Sequence, residues 1–122
     1  MTRQVKLMMR EDVAVIALAG QATDARDLAS GFDSGMRAAL AGALEVALTD
    51  RAVKAVLLRA GAAGWPCALP DPAGDYAAHP AAPDLAQITR RIATAPKPVV
   101  AALSGRIVGG ALALSQAAGW RI

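Results

Sequence analysis

Two stretches of the sequence place chemically useful backbone groups directly after apolar runs. Gly109 and Gly110 follow one such run and open an Ala/Leu-rich segment, and the stretch from Gly61 to Asp71, rich in glycine and proline, follows another. Glycine lets a ligand approach the backbone, and the free N–H groups at a helix start favour negative charge. A second N–H from the other stretch would complete a two-donor oxyanion site. The glycine pair alone is equally consistent with close packing of a helix against a sheet.

Several side chains in or near the second stretch could add acid, base or nucleophilic chemistry. Asp71 and Asp75 could act as bases, although carboxylates beside proline and glycine are more often turn formers. Tyr76 could donate a hydrogen bond to an oxyanion or protonate a carbanion, and the alternative is a half-buried anchor for the loop. His79 and Cys67, the single histidine and the single cysteine, have no identifiable catalytic partner nearby. One cysteine cannot build a Cys-type zinc site, and no metal site is predicted.

The elements that must position these groups follow from the apolar pattern. In chain order the pattern predicts a hairpin over 5–19, a helix from Asp33 or Ser34 to about Thr49, a strand over 53–59, an irregular loop over 60–83, a helix from the cap Asp84 to Pro96, a strand over 98–104, a helix over about 111–118 with Gly119 at C′, and the start of a strand at 120–122. Strand–helix–strand units favour an α/β fold with a parallel sheet, whose ligands bind at the carboxyl ends of the strands.

Length and composition limit the class of protein. The chain has 122 residues, a net charge of +3 and 55% hydrophobic residues, so it is one domain or part of one and is not disordered. Aromatic residues make up only 3%, which argues against base stacking, and the basic residues are scattered as on a solvated surface. We therefore expect no nucleic-acid partner. Without a signal-peptide pattern or a bilayer-length apolar stretch, we also expect no membrane contact and a cytoplasmic location.

Three segments, Lys97–Ala111, Val53–Pro70 and Ala117–Ile122, resemble the crotonase (enoyl-CoA hydratase/isomerase) superfamily. The first is similar to the family's Lys-Pro-Val-Ile-Ala-Ala strand with its Asn-Gly and Gly-Gly-Gly helix start. The second resembles the valine-rich strand and Phe-x-Ala-Gly-x-Asp loop, and the third resembles Ala-Cys-Asp-x-Arg-Ile. The resemblance implies an α/β fold, a partial crotonase-like ββα spiral (ClpP/crotonase-like fold), with 1–122 as a truncated domain that lacks the C-terminal half and the trimerisation helices.

The resemblance also implies what the site binds. By position, the backbone N–H groups of Leu69 and Gly110 would stabilise the enolate oxyanion of an acyl-CoA thioester, and a register one residue later would place Pro70, which has no N–H, at the donor position. Coenzyme A is then part of the substrate, with no covalently bound cofactor. The remaining residues expected at the acyl-CoA are Ala68, Gly109, Lys97 and Arg26, the last two as contacts to the coenzyme A phosphates.

Departures from the family pattern leave the reaction open. Ala113 stands where hydratases carry a catalytic Glu, and a methyl group cannot transfer a proton, so hydration is doubtful. Ala111, Ala68, Pro70 and Gly119 also replace family residues. One alternative is a thioester hydrolase or decarboxylase of the same family. Another is an inactive fragment or partner subunit, because the unfinished strand at 120–122 would need a second copy or another crotonase-like chain. Whether the chain is an enzyme of the lyase or isomerase type stays open.

Overall fold

The computed structural model of the chain describes residues 5–18, 34–61, 64–65 and 83–122. The elements of this part are β1 (Val5–Arg10), β2 (Val13–Leu18), α1 (Ser34–Thr49), β3 (Ala55–Ala60), α2 (Leu85–Ala93), β4 (Val99–Ala101), α3 (Gly109–Ala117) and β5 (Trp120–Arg121). Strands and helices thus follow the predicted order, and the predicted α/β class is confirmed.

The strands form one sheet in the order β1-β2-β3-β4-β5. β1 and β2 make the predicted antiparallel hairpin, with Leu7 opposite Ile16, and their tight turn places Glu11 in the left-handed region at φ 56°. The other neighbouring pairs are parallel. Because parallel strands all run the same way, the carboxyl ends of β2 to β5 lie at one edge of the sheet.

The core lies between one face of this sheet and the helices. Residues that alternate along the strands are fully buried, and they align across the sheet: Ile16 pairs with Leu58, and Leu58 with Ala101. α2 contacts both α1 and α3, so the helices pack side by side. β3 and β4 bury alternate residues, as strands with one core-facing side do, whereas β2 buries Val15 between Ala14 and Ile16 as well.

Local sequence signals fix the helices that cover this face. α2 begins after Asp84, whose carboxylate accepts the Gln87 backbone N–H at 2.7 Å while the Gln87 side-chain oxygen accepts the Asp84 N–H at 2.8 Å. This reciprocal capping box confirms the predicted helix start. In α1 the residues of the predicted four-residue spacing are all buried, namely Met36, Leu40, Leu44 and Leu48. No helix in the described part of the chain is long and apolar enough to cross a bilayer.

Several predicted boundaries differ from the structure: β3 covers 55–60 rather than 53–59, and α2 ends at Ala93 rather than at Pro96. β4 covers 99–101 rather than 98–104, although the Ala102 N–H still donates to Leu58 O of β3 at 2.8 Å. α3 begins at Gly109, ahead of the predicted start, because a left-handed glycine at φ 55° turns the chain directly into the helix. The differences in β4 and α3 both lie at the connection between these two elements, which covers 102–108 rather than about 105–110.

Residues 119–122 form the predicted helix end and strand, but the backbone conformation of Gly119 differs from the one expected. The strand expected at 120–122 is present as β5, parallel to β4. Gly119 occupies the predicted C′ position of α3, yet its φ is not in the left-handed region that such helix ends commonly use. Its N–H instead donates to Val99 O at 3.1 Å, which joins the helix end to β4.

The expectation that the basic residues are solvated is wrong for Arg37. This residue lies in the first half of α1 and is 0% exposed. Its Nε donates to the carbonyl oxygen of Pro83 at 2.7 Å, just before the capping box of α2. Position 37 borders the apolar stripe of the helix, where a long side chain can bury its stem and still reach a backbone acceptor.

Candidate functional site

The carboxyl edge of the sheet brings two connections together. β3 continues past Ala60 into Gly61, Gly64 and Trp65, and β4 continues past Ala101 towards the start of α3. β3 and β4 are parallel neighbours, so both connections leave the sheet at the same edge. This is the edge at which open parallel sheets place their ligands.

A tight turn follows β3 and directs the chain inward. The Gly61 N–H extends the sheet by donating to Leu18 O of β2 at 2.8 Å, and the Gly64 N–H donates back to Gly61 O at 3.0 Å. Gly64 has φ 89°, a conformation that a side chain would strain. Trp65 comes next and is 5% exposed, so its side chain is buried.

The Trp65 side chain joins the two connections. Its indole Nε1 donates to the carbonyl oxygen of Ala102 at 3.1 Å. Ala102 is the first residue after β4, and its own N–H donates to Leu58 O of β3. This hydrogen bond was not predicted from the sequence. Its only signal there is Trp65 itself, which stands where the Phe-x-Ala-Gly-x-Asp loop of the family pattern has phenylalanine.

The start of α3 offers backbone donors. Val108 is the N-cap residue and makes no side-chain cap, and the Leu112 N–H donates to Val108 O at 3.4 Å as the first helical bond. The N–H groups before Leu112 therefore have no acceptor within the helix. Gly110 is buried at this start, while Gly109 is exposed and left-handed. An anionic oxygen placed here would meet the Gly110 N–H and the positive end of the helix dipole.

α3 supplies no group for proton transfer at the position where hydratases carry one. Ala113 is half-buried there and ends in a methyl group. Ser115, on the same helix, is buried, and its hydroxyl donates to Leu112 O at 2.9 Å. The helix can therefore stabilise charge through its backbone, but it offers no carboxylate to act as acid or base.

The structure brings together only part of the predicted site. Gly109 and Gly110 lie at the start of α3, as expected. The other candidates for catalysis and binding lie outside the described residues, and their roles stay predictions. They are Arg26 and the loop residues Cys67, Ala68, Leu69, Pro70, Asp71, Asp75, Tyr76 and His79. No cluster of His, Cys, Asp or Glu that could hold a metal occurs among the residues that the structure describes.

Lys97 lies at the opposite edge of the sheet. It precedes β4, and its Nζ donates to Ala47 O at 3.0 Å and to Asp50 O at 2.6 Å, at the carboxyl end of α1. From Lys97 to Ala102 the chain runs roughly 16 Å in extended conformation, which separates this ammonium from the start of α3. These two bonds give Lys97 a structural role, and its expected contact with coenzyme A phosphates stays a prediction.

The chain resembles known proteins in its structure. No protein-family model matches the chain, and no curated protein is significantly similar in sequence. An enoyl-CoA hydratase/isomerase family protein from Hyphomonas neptunium superposes with a TM-score of 0.73 and 29% identity, over 97% of this chain and 46% of that one. The chain has a partial crotonase fold.

Further structures with the crotonase fold agree. An enoyl-CoA hydratase/isomerase from Xanthobacter autotrophicus has a TM-score of 0.76 and 24% identity, over 99% of this chain and 46% of that one. A probable enoyl-CoA hydratase from Mycobacterium smegmatis has a TM-score of 0.75 and 23% identity, over 98% of this chain and 48% of that one. The resemblance to crotonases in the sequence is thus confirmed for the fold, and the chain spans about half the length of these structures.

Proposed function

We propose that the carboxyl edge of the sheet binds the thioester group of an acyl-CoA. The Gly110 N–H donates to the thioester oxygen, and the Leu69 N–H is the second donor. The two donors stabilise the enolate-like charge that develops on this oxygen. The observation that supports this proposal is the start of α3, where a buried glycine N–H without a helical acceptor lies at the ligand-binding edge of a crotonase fold.

The proposed role of the site is to bind the thioester and to stabilise negative charge on its oxygen. Hydration of an enoyl-CoA requires a group that moves a proton to or from water, and α3 carries Ala113 at the position of the family's Glu. Asp71 and Tyr76 are the remaining proposed proton donors or acceptors, both in the long loop. A hydrolase or decarboxylase reaction remains compatible with a site that holds the thioester through backbone donors.

Calorimetric titration with acetyl-CoA and crotonyl-CoA tests the proposal. We expect saturable binding that Gly110→Val weakens at least tenfold, because the added branched side chain fills the space that the thioester oxygen needs. Gly42→Val is the matched control: it places the same side chain in a helix, at an exposed position of α1 where no atom lies within 4 Å of the new Cβ. Equal binding by both variants, or no binding by the unaltered chain, would contradict the proposal.

A second candidate function is association with another crotonase-like chain. β5 is the outermost strand on one side of the sheet. Trp120, in this strand, is 68% exposed, and Ile122, directly after it, is 76% exposed. An apolar sheet edge with open backbone groups is a site for strand pairing. We expect sedimentation velocity to show a concentration-dependent oligomer that Trp120→Glu dissociates. Val46→Glu, at a 55% exposed position on α1, should leave the oligomer unchanged. A monomer at all concentrations would exclude this candidate.

A further inference from the structure

We propose that Trp65 is a positioning residue of the thioester site, because its indole N–H fixes the connection after β3 to the connection that leads to Gly110. This inference rests on the proposed function of Gly110 as an oxyanion donor. Trp65 touches no reacting atom in this proposal. It acts through Ala102, the residue at which β4 passes into the segment before α3.

The hydrogen bond is buried and specific. The Trp65 side chain is 5% exposed, and its Nε1 lies 3.1 Å from Ala102 O. Buried indole N–H groups normally find an acceptor, since leaving one without a partner is costly. Phenylalanine, the residue of the family pattern, would fill most of the same space but could not donate. The cross-link is therefore a feature of this chain's tryptophan.

Both ends of the cross-link are attached to rigid structure. On the Trp65 side, the Gly64 N–H donates to Gly61 O, and Gly61 is itself held to β2 through Leu18 O. On the other side, the Ala102 N–H donates to Leu58 O of β3 at 2.8 Å. A bond between two fixed segments limits their relative displacement, whereas a bond to a free end would limit little.

The position of Gly110 depends on this connection. The segment 102–108 leads from Ala102 to the N-cap of α3, and it includes Gly105 at φ 69°. The Trp65 bond fixes Ala102 relative to the residues that follow β3. It therefore limits where α3 starts relative to those residues. Donors that stabilise an oxyanion must be held within fractions of an ångström of their working positions, so one added tether has a measurable effect.

The test compares Trp65→Phe with Val46→Ala, which also shortens an apolar side chain but at an exposed position of α1. Each protein is titrated with acetyl-CoA and with ethyl-CoA, a thioether that lacks the carbonyl oxygen. We expect Trp65→Phe to weaken acetyl-CoA binding two- to fivefold, and the equilibrium factor of one neutral hydrogen bond, about fivefold, is the upper limit. Ethyl-CoA binding should change less than about twofold, because it does not use the Gly110 N–H. Val46→Ala should leave both affinities unchanged.

A general loss of structure would weaken both ligands equally, and that result would overturn the positioning role. Unchanged acetyl-CoA binding would overturn it as well. Incorporation of 3-benzothienylalanine at position 65 keeps the shape of the ring system without the N–H, and it should reproduce the effect of Trp65→Phe if the hydrogen bond is responsible.

The two proposals can fail separately. If the unaltered chain binds neither ligand, the proposed function fails, and the amide resonance of Gly110 in the free protein then decides the positioning role. We expect Trp65→Phe to shift this resonance and to speed its hydrogen exchange at least threefold, with no change in Val46→Ala. A Gly110 amide that is the same in all three proteins would overturn the inference.

Discussion

Replacing Lys97 with methionine separates a structural lysine from a ligand-binding one. The Lys97 ammonium donates to Ala47 O at 3.0 Å and to Asp50 O at 2.6 Å, and α1 has no basic residue in its own last turn. Lys97→Met retains the apolar stem and removes both donors together with the charge that opposes the helix dipole. Asp50 O keeps the Val53 N–H as a donor at 3.1 Å, whereas Ala47 O, in the part-buried contact, then depends on water.

The expected loss is about 1–2 kcal/mol of unfolding free energy. A hydrogen bond from a charged donor contributes about 1.5–3 kcal/mol where it is well shielded, and a cation at a helix end contributes about 0.3–1 kcal/mol. Lys97 is half-buried, so solvent reduces the sum of these contributions. For a chain of this size the midpoint of thermal unfolding should fall by about 5 °C.

Urea unfolding followed by circular dichroism measures the change, with acetyl-CoA titration on the same samples. Lys54→Met is the control, since Lys54 is exposed and precedes β3. We expect Lys97→Met to lower the urea midpoint without a change in m-value and to leave acetyl-CoA affinity within about twofold. Lys54→Met should change neither the urea midpoint nor the affinity. Unaltered stability together with tenfold weaker acetyl-CoA binding would refute this explanation and support a phosphate contact.

Further predictions concern stability and are checked by the same unfolding measurement. Asp84→Ala removes the capping box of α2 and should cost about 1 kcal/mol. Gly42→Ala should stabilise α1 by about 0.5–1 kcal/mol, because the position is helical and its Cβ meets open space. Gly105→Ala, which meets equally open space but has φ 69°, should instead cost about 1 kcal/mol. Leu58→Ala, at a fully buried position of the central strand, should cost about 3 kcal/mol, and a loss below 1 kcal/mol would contradict the assigned core.

The fold could be predicted because its signals are local or periodic. The four-residue apolar spacing of α1 and the Asp84 cap each specify an element from neighbouring residues, and both are observed. The parallel order of the sheet followed from the helices between the strands. Boundaries near Gly109 were less accurate, since the φ of a glycine cannot be deduced from its identity alone.

The long-range contacts of basic and aromatic side chains could not be predicted. Arg37 donates to a residue 46 positions away and Lys97 to residues up to 50 positions away, and neither distance in sequence leaves a periodic signal. Trp65 reaches Ala102 across 37 positions for the same reason. Residue type predicted where these side chains prefer to lie, but only the packed chain shows which carbonyl oxygen each of them reaches.

The amide resonance of Gly110 during titration with acetyl-CoA tests the central claim most directly. In the assigned ¹⁵N–¹H spectrum we predict that the Gly110 proton moves downfield as the thioester oxygen accepts its hydrogen bond, and that ethyl-CoA causes a much smaller movement. The helical amide of Gly42, at an exposed position of α1, should stay in place with both ligands. Saturable acetyl-CoA binding without movement of the Gly110 resonance would contradict the claim that this N–H is the oxyanion donor.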